Sequence, residues 1–171
     1  MKKMKHTFVL GMLSLCFVLM LSCKNENKTQ VNTNTPTVED MENLSKQDTI
    51  KITLNSNDRM QFDKSALQVF EGQTVILTLV HTGTMPVSAM GHNFVLLTKG
   101  TSVSEFAKEA LKAQDNDYIP EDGSNLIAYT ELIGGGESTT ITFQAPEKGT
   151  YDFLCSFPGH SSLMKGKFHV K

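Results

Sequence analysis

From Thr49 onward the sequence is cut into short, period-two apolar segments separated by turn residues. Ile50, Ile52 and Leu54 alternate with Lys51 and Thr53, the pattern of a half-buried strand. Leu67-Gln68-Val69 runs into a turn at Glu71-Gly72. Thr74 to Val80 is rich in branched residues and reads as a central strand. Further strands are predicted over 92–97, 139–143, 151–154 and 167–170. Turn signals stand between them at Thr82-Gly83, Lys99-Gly100, Gly134-Gly135-Gly136, Lys148-Gly149 and Pro158-Gly159. This punctuation predicts an all-β sandwich with Greek-key connections. One segment differs. Over 102–113, Val103, Phe106, Ala107, Ala110 and Leu111 fall at helical spacing, and Ser102 with Glu105 has the spacing of a capping box. A single helix is therefore predicted between strands.

The N-terminus follows other rules. Lys2, Lys3 and Lys5 precede an apolar run from Phe8 to Leu21, interrupted by Gly11 and Ser14. The run is short for a membrane span and has the flanks of an export signal. It closes on Leu19-Met20-Leu21-Ser22-Cys23, similar to a bacterial lipoprotein signal in which the cysteine is lipidated after cleavage. The expected organisation is a signal peptide over 1–22, a lipidated Cys23 leading a flexible polar tether to residue 48, and a domain over 49–171. The tether is rich in Asn, Thr, Lys and Glu, too polar to bury a core. Losing three lysines and no acids takes the net charge from −2 to −5. That charge, with no basic cluster in the domain, argues against nucleic acid as a partner. Of the three cysteines, Cys16 leaves with the signal and Cys23 carries lipid. Cys155 stays as one thiol in an oxidising compartment, where a lone thiol needs an occupation.

Cys155, His160 and Met164 supply one. They stand as C-x4-H-x3-M at the end of a predicted strand, with the turn Phe157-Pro158-Gly159 between them. His92 lies just ahead of another strand. Each residue alone has an ordinary reading, such as core filler for Met164 or a polar loop residue for His92. Together, two imidazoles, a thiolate and a thioether form a soft ligand set, the arrangement of a blue-copper electron-transfer centre. His92 is expected to reach the site from across the sandwich, so that two sheets hold the ligands. A Cys–His hydrolase would need an orienting acid and an oxyanion donor, and no motif offers either. Zinc would not require the methionine.

Asn57-Asp58-Arg59-Met60-Gln61-Phe62, Met90-Gly91-His92-Asn93-Phe94-Val95-Leu96 and the stretch from Cys155 to Gly166 resemble segments of the azurins, in the cupredoxin or type 1 blue copper family. The resemblance spans the whole domain. It implies an eight-stranded Greek-key sandwich with a helical flap and one copper ion. His92, Cys155 and His160 would be the equatorial ligands, Met164 the axial one, and the Gly91 carbonyl a weak opposite contact. Asn93 would steady the ligand loops, and it and the Phe157 N–H would hydrogen-bond the cysteine sulfur. Met90, Phe157, Pro158 and Gly159, with Met85 and Pro86, would form an apolar docking patch around His160, through which electrons leave. His81 matches a second, non-ligand histidine. The implied role is outer-sphere electron transfer, not enzymatic turnover. The implied partners are redox proteins: a cytochrome-type donor, or a copper or haem oxidase or reductase as acceptor. No organic substrate is implied. The location would be the bacterial cell envelope, on a periplasmic, membrane-anchored lipoprotein. The alternative is a copper-trafficking or copper-buffering protein, for which Met85, Met90 and His169 would be extra ligands. The chain departs from the azurins in three ways. Ile50 and Gly72 occupy the positions of a disulfide, Phe94 replaces a buried tryptophan, and the anchor and tether are additions.

Overall fold

In a computed structural model, residues 38–120, 123 and 125–171 are described. The signal region, Cys23 and most of the tether lie outside them. Among the described residues nine strands form two sheets. The first sheet has four strands: β1 (Thr49–Asn57), β2 (Gln61–Phe62), β4 (Thr74–His81) and β7 (Ser138–Gln144), in the order β2-β1-β4-β7. The second has five: β3 (Ala66–Val69), β5 (Val95–Leu97), β6 (Leu126–Tyr129), β8 (Gly149–Leu154) and β9 (Lys165–Val170), in the order β3-β9-β8-β5-β6. β1 runs parallel to β4, with Ile50 opposite Val75 and Ser56 opposite His81. β3 runs parallel to β9, and the other pairings are antiparallel.

The alternation explains the layers. Val75, Leu77 and Leu79 point inward from β4, and Leu54 joins them from β1. Phe94, Phe153 and Phe168 face them from the second sheet, all fully buried. Phe94, in the tryptophan position, packs its ring 5.4 Å from that of Phe153. On β7, Thr139 shares the inward face with Ile141 and Phe143. β5 is covered on both sides, so it reads as an unbroken apolar run. Leu96 enters the main core, while Val95 and Leu97 enter a second cluster with Phe106, Ala110, Ile119 and Leu154.

That second cluster lies under the inserted helix, α3 (Val103–Ala110), capped by Ser102 Oγ accepting the Glu105 N–H at 3.4 Å. The helix is shorter than its periodicity implied, and Leu111 is exposed. Two further helices were not expected: the short α2 (Val87–Met90) and α1 (Val38–Ser45). Leu44 of α1 packs on the main core. Gln73, 4% exposed, donates from Nε2 to the carbonyls of Leu44 and Gln47 and accepts the Phe70 N–H at Oε1. β2 and β6 were also unforeseen, and His92 lies outside β5, joined to Ile133 as an isolated bridge.

One expectation is corrected. His92 does not arrive from across the sandwich. It leads into β5, which hydrogen-bonds directly to β8, the strand that ends at Cys155. Val95 pairs with Leu154, one residue before that cysteine. Met164 immediately precedes β9, the other neighbour of β8. The site therefore forms at one end of a single sheet, where three adjacent strands place their ends side by side.

Candidate metal centre

Strand pairing sets the distances. Cys155 follows β8 directly, so its position is fixed by a ladder on both sides. The loop after it is closed by backbone bonds. The Cys155 N–H donates to the Met164 carbonyl at 2.9 Å, and the Met164 and Leu163 N–H groups return to the His160 carbonyl. Gly159 turns the chain with φ 82°, a left-handed conformation that a side chain would strain. His160 opens a single 3₁₀ turn, His160–Ser162, and is only 3% exposed.

The ligand atoms converge. His92 Nδ1 is 3.9 Å from Cys155 Sγ and His160 Nδ1 is 3.7 Å from it. One donor atom from each of these three buried residues lies within 4.8 Å of the others. Metal bonds of about 2.3 Å to sulfur and about 2.0 Å to nitrogen, splayed at about 120°, separate the two donors by about 3.7 Å. The pocket thus has the spacing for one transition-metal ion. The Gly91 carbonyl oxygen is 3.9 Å from the same sulfur, and Met164, whose carbonyl accepts the Cys155 N–H, is fully buried.

Protonation favours a metal. Burial pushes the Cys155 thiol up to about 11, partly offset by the backbone N–H groups of Asn93 and Phe157. Burial pulls His160 down to about 4, with help from His92 and His81, and burial likewise lowers His92. The imidazoles are neutral at ordinary pH with lone pairs available. The thiol loses its proton when a cation takes its place.

The surrounding bonds fix each ring. His92 Nε2 faces the Asn57 carbonyl at 3.0 Å, which makes Nε2 the donor and leaves Nδ1 for the metal. Asn93 is fully buried and joins three segments. Its Nδ2 donates to Ser156 Oγ at 2.8 Å and to the Asp117 carbonyl at 3.0 Å, and its Oδ1 accepts the Ser156 N–H at 2.9 Å. His81 stacks on His92 with centroids 4.4 Å apart. The Gly83 N–H donates to its Nδ1, and its Nε2 faces the Met90 carbonyl at 2.9 Å. His169 stands on β9 opposite Thr150, toward the far end of the sheet, and takes no part in the cluster. Asn57, Ser156, Asp117 and Ile133 went unread in the sequence. They act through backbone atoms or a common hydroxyl, and no local motif marks them.

A two-layer β sandwich whose loops bring one cysteine and two histidines to a shared point is a cupredoxin-type copper protein. Residues 48–171 match the family described as copper binding proteins, plastocyanin/azurin family. The chain belongs to that family, whose members bind one copper ion, and His92, Cys155 and His160 form its candidate site here. Outer membrane protein H.8 of Neisseria gonorrhoeae is 43% identical over 119 residues, 67% of this chain and 64% of that protein. The chain therefore spans less than two thirds of that relative. Azurin of Pseudomonas aeruginosa is 38% identical over 124 residues, covering 70% of this chain and 84% of the azurin. Auracyanin A of Chloroflexus aurantiacus, a "blue" copper protein, superposes with a TM-score of 0.67 at 34% identity, over 72% of this chain and 99% of its own.

Proposed function

We propose that this chain is a membrane-tethered type 1 copper protein that carries single electrons between redox proteins of the cell envelope. The observation behind this reading is that one cysteine sulfur and two histidine nitrogens, all buried, converge within 4.8 Å of one another. When bound, copper supplies a one-electron Cu(II)/Cu(I) couple. His92, Cys155 and His160 would hold it as the main ligands, with Met164 and the Gly91 carbonyl as further, weaker ones. Because a hydrogen bond orients His92 and the rings of His92 and Phe157 pack on His160, the ligands need move little when the charge changes. Asn93 keeps the two ligand loops in register, and the Asn93 and Phe157 N–H groups stabilise negative charge on the sulfur.

The docking face suits such traffic. Residues 82–93 and 156–164 contain no Asp, Glu, Lys or Arg. Met85 and Val87 are exposed, Met90, Phe157 and Pro158 are half-buried, and Gly159 is open. The Phe157 ring lies 4.7 Å from that of His160. A small apolar face of this kind fits brief encounters with another redox protein, a cytochrome or a copper or haem enzyme, better than a lasting complex. Nothing about it calls for an organic substrate or an enzymatic role. The anchor would be lipid on Cys23, followed by a polar segment ahead of α1. It is supported by the sequence pattern and by the outer-membrane name of a relative.

The test is the visible spectrum and voltammetry of the Cu(II)-loaded domain. Intense blue absorption with a reversible one-electron wave is expected, and a colourless Cu(II) form would refute the centre. Cys23→Ala should move the full-length protein from the membrane fraction to the soluble one. If the variant stays on the membrane, the lipid assignment fails.

A further inference from the structure

We propose that Asp58 is a positioning residue that ties the docking loop to the copper ligand His92; this rests on the electron-transfer reading above. Asp58 sits in the turn that ends β1. Its Oδ2 accepts the Thr84 N–H at 2.8 Å and the Thr84 hydroxyl at 3.4 Å, and its Oδ1 accepts the Met85 N–H at 3.2 Å. One carboxylate thus pins the start of the loop that presents Met85 and Val87. Gly83 lies against the same carboxylate with no room for a Cβ, so the loop cannot slide along it.

The other half of the link is a single peptide plane. The carbonyl that orients His92 belongs to Asn57, and the peptide bond it forms carries the N–H and Cα of Asp58. The same oxygen accepts the Met60 N–H at 3.2 Å, which closes the turn. A rigid unit therefore bears the His92 anchor on one side and the loop anchor on the other. Next to it, the Ser56 carbonyl accepts both the N–H and the hydroxyl of Thr82. The carboxylate also lies 3.8 Å from His81 Nε2, whose ring stacks on His92. The Thr84 and Met85 N–H groups hold the carboxyl below its ordinary range, so it stays an acceptor at neutral pH.

Hydrogen exchange in the apoprotein tests the link without copper. In Asp58→Ala, the Thr84 and Met85 amides and the His92 Nε2–H should all exchange at least tenfold faster. In Asp58→Asn, which keeps one carbonyl oxygen, the increase should be smaller at all three. If Asp58→Ala frees the two loop amides while His92 Nε2–H stays within twofold of wild type, the coupling is refuted. Should that variant fail to fold, Asp58→Asn decides alone: parallel increases at Thr84 and His92 support the link, and an increase at Thr84 only overturns it. A colourless Cu(II) protein with these exchange results intact would refute the electron-transfer reading and leave the positioning role standing.

Discussion

The two ends of the sandwich use one device for opposite ends. At each, a buried side-chain amide ties separate segments together with two donated bonds and one accepted bond. At the copper end Asn93 joins Asp117 and Ser156 to its own loop. At the far end, about 26 Å away along β1, Gln73 joins Leu44, Gln47 and Phe70. The surfaces around them differ. At the copper end loops 82–93 and 156–164 carry no charged side chain, though Asp58, Arg59 and Asp117 border them, whereas Lys46, Asp48, Glu71, Glu147, Lys148 and Lys171 stand exposed at the far end. The same stitch thus serves a working site at one end and fastens the entering chain at the other. The Gln73 bonds lie beside Gly72, one of the two positions where azurins carry a disulfide, and supply a polar closure there.

The strongest test of this division is Cys155→Ser. Loss of the thiolate should abolish the blue form while the far end keeps its fold. A serine variant that stayed blue would refute the ligand assignment. Next come the two amides. Asn93→Ala and Gln73→Ala each orphan buried polar partners, and each should lower unfolding free energy by about 2–4 kcal/mol in denaturant titrations. Only Asn93→Ala should also alter the Cu(II) spectrum. A spectral change in Gln73→Ala would break the comparison.

Acid should act on the copper end first. His160 titrates near 4 in the fold against an ordinary 6.5, so the unfolded chain binds the proton more readily between those values. Apoprotein stability is therefore complete above about pH 6.5 and declines as the pH falls toward 4. His160→Gln should flatten that decline in pH-dependent thermal unfolding, and an unchanged profile would contradict the assignment. The smallest effect is expected from Met164→Leu, which should keep the blue colour and raise the reduction potential, because a hydrocarbon stabilises Cu(II) less than a thioether does. An unmoved potential would remove Met164 from the axis.

Much of the copper end was legible because its signal is local. Cys155, His160 and Met164 share one loop, and the turn at Pro158-Gly159 announces their return. His92 was read as the second imidazole of the ligand set, and its route was misjudged. Period-two alternation reveals strands but not which strand lies beside which, so β5 was assigned to the wrong side of the fold. β6 escaped notice because Leu126 to Tyr129 has no polar alternation and follows a turn-rich stretch. α1 was hidden because only Leu44 is apolar where it meets the core, and its partner Gln73 is 29 residues away. The anchoring of His92 by Asn57 uses a main-chain oxygen, which no side-chain pattern records.

The absence of ionised residues from loops 82–93 and 156–164 has a consequence for physiology. Encounter through such a face owes little to long-range Coulomb attraction, so counterions have little to screen. Current through this carrier should hold steady when the medium outside the cell turns from dilute to saline, a property of value wherever osmotic conditions swing.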